Sequence, residues 1–194
     1  MVRSPLREAC ENQWKVPGLM LEFGVFSGKT INLMAQFHQG EVFGFDTFEG
    51  LPEDWNDKFK KGHFDCHGKL PKVLKNVKLV KGLFQDTLEP FLKGHPGNIS
   101  VCHLDADLYS ATRYVLETLA PRIVPGSILV FDELINYNGY EEHEWKALIE
   151  CCLLFGWKFE WIAQSGALEE PLVVEIWETQ QVAIRIIAIS KPVK

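Results

Sequence analysis

Asp105 lies in the run His103-Leu104-Asp105-Ala106-Asp107, and the adjacent pair Asp132-Glu133 follows it 27 residues later. Each acidic group closes an apolar run, Ile99 to Leu104 and Ile128 to Phe131. Read as neighbouring parallel strands, those runs deliver Asp105, Asp132 and Glu133 to one rim of a sheet, where ligands of open α/β sheets bind. Three hard oxygen donors gathered there suit Mg²⁺ or a similar cation. The plain alternative is an acidic surface loop; the glycine loop upstream favours a site.

That loop is Glu22-Phe23-Gly24-Val25-Phe26-Ser27-Gly28-Lys29-Thr30. Gly-Lys-Thr invites a phosphate-binding P-loop, but G-x-x-x-x-G-K-[ST] needs glycine at position 23, where Phe23 stands. The dinucleotide fingerprint G-x-G-x-x-G fails as well, because Phe26 occupies its second glycine. What remains is a glycine turn with a carboxylate, Glu22, fit to meet an ammonium group. Asp46 closes the next strand and can hold two ribose hydroxyls. Asp86, after a third strand, is placed for an adenine edge. A cationic amino-acid nucleoside without phosphates matches this set, and S-adenosylmethionine is such a molecule.

The elements that must position these groups alternate. Strands are expected at Leu19–Phe23, Val42–Phe45, Val77–Val80, Ile99–Leu104 and Ser127–Phe131. A helix capped by Ser27 carries Ile31, Met34, Ala35 and His38 on one face and stops at Gly40. Further helices are expected over Thr87–Lys93, over Tyr109–Val124, and around Trp145 to Cys152, closed by Gly156. Trp157–Ala163 and Val182–Ile189 read as two last strands with no long helix between them, so that connection is free to be antiparallel. The expected fold is a mostly parallel sheet with helices on both faces and a C-terminal edge hairpin, in one domain over residues 1–194. The irregular stretch Thr47–Leu70 is too long for an ordinary connection and reads as a lid or mobile loop.

Bulk properties narrow the partners. At 194 residues, with 46% hydrophobic and 24% charged residues, the chain has the composition of an ordinary globular domain. The net charge of -6 and the absence of a basic stripe argue against nucleic acid. Five cysteines without C-x-x-C spacing fit reduced thiols in a cytoplasm. Met1 to Cys10 lacks an apolar signal core, and no run of about 18 apolar residues exists to span a bilayer.

The segments LEFGVFSGKTINLMA, FGFDTFEGLPEDW, KGLFQDTLEPFL and HLDADLYSATRYVLETLAPRIVPGSILVFDE, within residues 19–137, resemble the macrocin O-methyltransferase (TylF-type) family. Members are class I S-adenosylmethionine-dependent enzymes with a seven-stranded Rossmann-like sheet, and they methylate sugar hydroxyls. The resemblance implies that Glu22, Gly24, Ser27, Gly28 and Thr30 line the methionine end of the cofactor. It implies Asp46, Thr47 and Phe48 at the ribose, Asp86 at the adenine, and Asp105 beside the cofactor. It further implies Asp105, Asp132 and position 133 as Mg²⁺ ligands, with Asp107 as general base. Two departures stand out. Family members have Asp-Asp where this chain has Asp132-Glu133, and they carry a longer segment ahead of the first strand than the 18 residues before Leu19.

The expected chemistry is methyl transfer to a hydroxyl of a sugar or other small molecule. Metal held by Asp105, Asp132 and Glu133 would lower that hydroxyl's pKa, and Asp107 would take the proton. Asp107 has a rival role as helix cap before Tyr109. A non-catalytic S-adenosylmethionine-binding module and a metal-dependent hydrolase are the alternatives. His63, Asp65, Cys66 and His67 have the residue types of a zinc site, but a polar loop explains them more simply. Trp55, Phe59 and Phe64 offer apolar lid contacts. His143 is expected to face solvent at a helix start. Tyr137 and Tyr140 suit either a substrate pocket or the core. Trp157, Trp161 and Trp177 suit edge packing or a homodimer contact.

Overall fold

Short runs of apolar, β-branched and aromatic residues between glycine and proline breakers form the strands, and the computed structural model describes residues 4–13, 16–165 and 180–190. Trp177 lies outside the described residues, as does most of the connection before the last strand. The strands are β1 (Leu19–Phe23), β2 (Val42–Asp46), β3 (Val77–Lys81), β4 (Ile99–Leu104), β5 (Ile128–Ile135), β6 (Trp157–Gln164) and β7 (Gln180–Ile189). The helices are α1 (Pro5–Glu8), α2 (Lys29–Phe37), α3 (Phe84–Gly94), α4 (Tyr109–Leu119) and α5 (Glu144–Phe155).

The seven strands make one sheet in the order β3-β2-β1-β4-β5-β7-β6. β1 to β5 pair in parallel, and β7 runs antiparallel to both β5 and β6. The last strand therefore inserts between β5 and β6, which the hairpin expectation left open. Strand order reverses beside β1, between β1 and β4. That is the switch point where open α/β sheets bind ligands.

Both faces of the sheet are covered because successive strand residues alternate sides. On one face Leu21, Phe23, Phe43 and Phe45 pack with Leu88 and Phe91 of α3, Val115 and Leu119 of α4, and Leu148 of α5. Phe23 stacks on Phe45 with centroids 4.8 Å apart. On the other, Met20, Val42 and Val101 pack with Leu6 of α1 and with Ile31 and Met34 of α2. Each such buried side chain contributes about 1.5–3 kcal/mol, which lets the fold carry a costly polar cluster at its rim.

Several element ends differ from expectation. α2 is not capped by Ser27: its N-cap is Gly28 in the left-handed region, with no side-chain cap bond. It ends at Phe37, where His38 turns extended ahead of Gly40. α3 begins at Phe84 rather than Thr87, which places Asp86 inside its first turn. α4 stops at Leu119 and passes into a short 3₁₀ turn over Ala120–Arg122. Among the described residues, no helix is long and apolar enough to cross a membrane.

Candidate active site

Gly24 follows β1 with φ +92, and a Cβ at this position would fall on the carbonyl oxygen of Asp105. Its conformational freedom thus lets the ends of β1 and β4 close on each other. A hydrogen bond from Asp105 N to Phe23 O (2.9 Å) completes that join, and one from Gly24 N to Phe45 O (3.0 Å) ties β1 to β2. Asp46, the last residue of β2, ties down the glycine loop after β1 and the start of its own loop. Its Oδ2 accepts from Val25 N and Phe26 N, both at 2.8 Å, and its Oδ1 from Phe48 N at 2.7 Å. Three of the about four acceptor positions of that carboxylate are taken by backbone.

A cavity of about 670 Å³ opens above these turns. Gly24, Asp46, Thr47, Asp105, Asp107, Asp132 and Glu133 line it. Other expected site residues lie elsewhere. Glu22 is fully buried beneath the rim, Phe48 is 1% exposed and packs with α2 on the far face, and Asp86 points outward from α3. Leu83, Phe84 and Gln85 reach the cavity instead of Asp86. Ser27, Gly28 and Thr30 shape the loop and the start of α2 without lining the cavity.

The acidic rim resolves into two convergent groups that share Asp105. Asp105, Asp107 and Glu133 place carboxylate oxygens within 4.8 Å of one another, as do the donor atoms of His103, Asp105 and Asp132. Asp132 and Glu133 fall in different groups because consecutive strand residues leave the backbone on opposite sides. The expected triad of Asp105, Asp132 and Glu133 is thus divided. Asp107 adopts φ +59, and the N-cap of α4 is Leu108 with no side-chain cap bond, so Asp107 does not cap that helix.

Supporting polar groups surround the rim, and the sequence reading missed them. His103 is buried in β4, in register with Glu22. Its Nδ1 lies 2.8 Å from Glu22 Oε1, and its Nε2 lies 3.4 Å from Asp132 Oδ1. Gln181 of β7 donates through Nε2 to Asp132 Oδ1. The other end of that amide accepts from Ser4 Oγ and Leu6 N, both at 2.9 Å. Glu144 of α5 is fully buried: its Oε2 accepts from Glu133 N at 3.2 Å and its Oε1 from Thr112 Oγ1 at 3.4 Å. The available signal was a polar residue inside an otherwise apolar strand run, as with Glu22 in LMLEF and His103 in ISVCHL.

Crowding acids under a sheet rim makes their ionisation costly. Burial, reinforced by the Asp132 charge, pushes Asp105 and Glu133 well above the usual carboxylate range. The same causes raise Asp107 to about 7, and burial raises Glu144 to about 8. Burial opposes a charged His103, but the Asp132 and Glu22 carboxylates on its two nitrogens hold its pKa well above normal. Asp132 is itself buried, yet His103 keeps it below its usual value.

The Thr47–Leu70 stretch folds back on itself over the cavity. Leu51 N bonds His63 O and Gly62 N bonds Leu51 O, both at 2.9 Å, and Glu49 bridges Asp65. Leu51, Trp55 and Phe59 pack against Leu108, just ahead of α4. Trp55 stacks on Phe59 (5.3 Å) and Phe59 on Phe64 (5.5 Å), giving the cavity an aromatic wall. His143 is not solvent-facing. It is half-buried between Trp55 (6.2 Å) and Tyr137 (6.1 Å), and burial lowers its pKa. Tyr137 is a core residue with a buried, unpartnered hydroxyl. His67 Nδ1 pairs with Asp65 Oδ2 at 3.0 Å, while His63 packs edge-on to Phe59 and Phe64. All five cysteines are free thiols.

A family profile described as a methyltransferase domain matches residues 21–134, the span that contains the glycine turn and the acidic rim. The chain is 30% identical over 146 residues to the 8-demethyl-8-(2,3-dimethoxy-alpha-L-rhamnosyl)-tetracenomycin-C 4'-O-methyltransferase of Streptomyces olivaceus. That alignment covers 61% of this chain and 53% of the relative, so the chain spans about half the length of the curated relative it matches. Among solved structures, a calicheamicin methyltransferase superposes with TM-score 0.61 at 23% identity, covering 92% of this chain and 74% of that one. The O-methyltransferase NovP superposes with TM-score 0.65 at 20% identity, covering 94% and 78%. Both likenesses establish the Rossmann-like fold.

Proposed function

The chain belongs to the methyltransferase-domain family, and on that premise we propose that it is an S-adenosylmethionine-dependent, Mg²⁺-assisted O-methyltransferase acting on a sugar or other small-molecule hydroxyl. One observation carries the reading. The glycine turn, Asp46 and four rim carboxyls face one cavity at the carboxyl ends of the parallel strands, beneath an aromatic lid. The sugar O-methylation named for the Streptomyces relative supports a sugar hydroxyl as acceptor.

S-adenosylmethionine brings a methyl group already activated on sulfur, which leaves positioning and proton removal to the protein. Gly24, Asp46 and Thr47 stand where its ribose and methionine parts would run. Gln85 offers both an amide donor and an acceptor to a base edge. Asp105, Asp107 and Glu133 fit a hard divalent ion: they are all-oxygen donors, they converge, and Glu133 Oε2 is buried without a partner. Mg²⁺ held there would lower the pKa of the acceptor hydroxyl. Asp107 has a second oxygen for the proton. His103 and Gln181 act through the Asp132 carboxylate and Glu144 through the Glu133 backbone N–H, fixing both residues in place.

The test is calorimetry of S-adenosylmethionine and of Mg²⁺ on the wild type, Asp46→Ala and Asp105→Ala. The expected result is micromolar cofactor binding lost in Asp46→Ala and Mg²⁺ binding lost in Asp105→Ala. A wild-type protein that binds no S-adenosylmethionine, with or without Mg²⁺, overturns the reading.

A further inference from the structure

Every charged residue of the cavity wall is acidic. Asp46, Glu53, Asp105, Asp107, Asp132 and Glu133 line it, and among the described residues no Lys, Arg or His does. One divalent ion and one sulfonium cofactor would still leave carboxylates in excess. The fold does offer two places that ordinarily bind anions, a helix N-terminus and a run of loop N–H groups. A carboxylate of the protein's own stands at each. Glu53 sits at the first turn of the eleven-residue helix α4, where Ser110 Oγ donates to its Oε1 at 2.5 Å. Asp46 takes the N–H groups of Val25, Phe26 and Phe48. Opposite these acids stands the stacked wall of Trp55, Phe59 and Phe64, a surface for the flat or apolar face of a ring.

We propose that this site, given the O-methyltransferase reading above, admits acceptors without phosphate, sulfate or carboxylate: neutral hydroxyl compounds with a ring face to lay on the aromatic wall. An anionic acceptor such as a nucleoside diphosphate sugar would find only acids among the ionisable side chains of the wall, and no cationic side chain to replace its water. Selection is thus by exclusion, with Glu53, bonded to Ser110 in the first turn of α4, a carboxylate that an anion would meet there.

The charge preference is measured without cofactor, by fluorescence titration of two anilinonaphthalenes that differ only by a sulfonate. Cofactor binding is measured separately by calorimetry with S-adenosylmethionine, so each reading stands or falls alone. The neutral dye is expected to bind more tightly than the sulfonated one by about tenfold or more. Trp55→Ala should weaken it, and Glu53→Gln should narrow the gap by about threefold or more by strengthening the anionic dye. Equal or tighter binding of the sulfonated dye by the wild type overturns the proposal, as does a ratio unmoved by Glu53→Gln. Neutral-dye binding indifferent to Trp55→Ala overturns it too, because the wall then holds no ring.

Discussion

Asp132 and Glu133 are consecutive on β5 and both approach Asp105, yet their other partners differ: Asp132 is gripped by His103 and Gln181, whereas Glu133 turns to Asp107. The pleat of the strand imposes this division. On the function proposed above, Glu133 would be the metal donor and Asp132 the structural anion.

Glu133→Gln and Asp132→Asn should therefore differ in kind. Glu133→Gln should weaken Mg²⁺ binding by more than about tenfold, the scale on which even indirect supports of a metal act. Asp132→Asn should keep Mg²⁺ affinity within a few-fold but lower Tm, because the buried His103 loses one of its two carboxylate partners. Calorimetry and thermal melts of both variants decide. Equal loss of Mg²⁺ affinity in the two would sink the division.

Metal-free protein should lose stability as pH rises from about 4 toward 8. Asp107 (to about 7), Glu144 (to about 8), Asp105 and Glu133 hold protons in the fold that the unfolded chain releases near pH 4. The folded state binds more protons across that window, so stability falls with pH. His103, raised in the fold, has the same sign. Asp132, lowered, acts only below about pH 4. A penalty of ~2 kcal/mol corresponds to about 4–8 °C in Tm for a chain of this size. Melts from pH 5 to 8, with and without Mg²⁺, should show a decline that Mg²⁺ flattens. A Tm that rises with pH in the metal-free protein contradicts the arrangement.

Gly24→Ala should cost well over ~2 kcal/mol, because it combines a left-handed backbone with a steric overlap on Asp105 that no side-chain rotation relieves. Urea midpoints measure this directly. A midpoint close to wild type would mean that β1 and β4 do not close as described.

Tyr137→Phe should stabilise the protein. The Tyr137 hydroxyl is buried beside acids and has no hydrogen-bond partner, and removing such a group recovers part of a desolvation cost of about 1–3 kcal/mol. A higher Tm is the expected reading, and a fall of several degrees would show that the hydroxyl has found a partner.

Much of the fold was legible because the parallel strands are short apolar runs bounded by breakers: LMLEF, VFGFD and ISVCHL carry their own boundaries. The rim position of Asp105 and Asp46 followed from the same runs. The detail that escaped came from two sources. Buried polar pairs join residues far apart, such as Glu22 and His103, 81 positions from each other, and no local pattern couples them. Helix starts were misplaced where backbone geometry overruled side-chain preference. Gly28 in the left-handed region displaced Ser27 as cap, and an earlier start of α3 rotated Asp86 away and Gln85 inward. The separation of Asp132 from Glu133 was available from strand alternation alone.

β7 enters the sheet between β5 and β6, and its Gln181 touches both Asp132 and the backbone of Leu6, 175 residues away. The order of assembly follows. A nascent chain emerging from the ribosome can pair β1 to β5 early, but the gap beside β5 closes only once residues 180–189 are made. Until then Asp132 lacks its amide partner and α1 lacks its anchor. Contacts spanning most of the chain form slowly, so the acidic rim should mature late, and a half-made chain should be a poor binder of cations even with every acidic residue of the rim already synthesised.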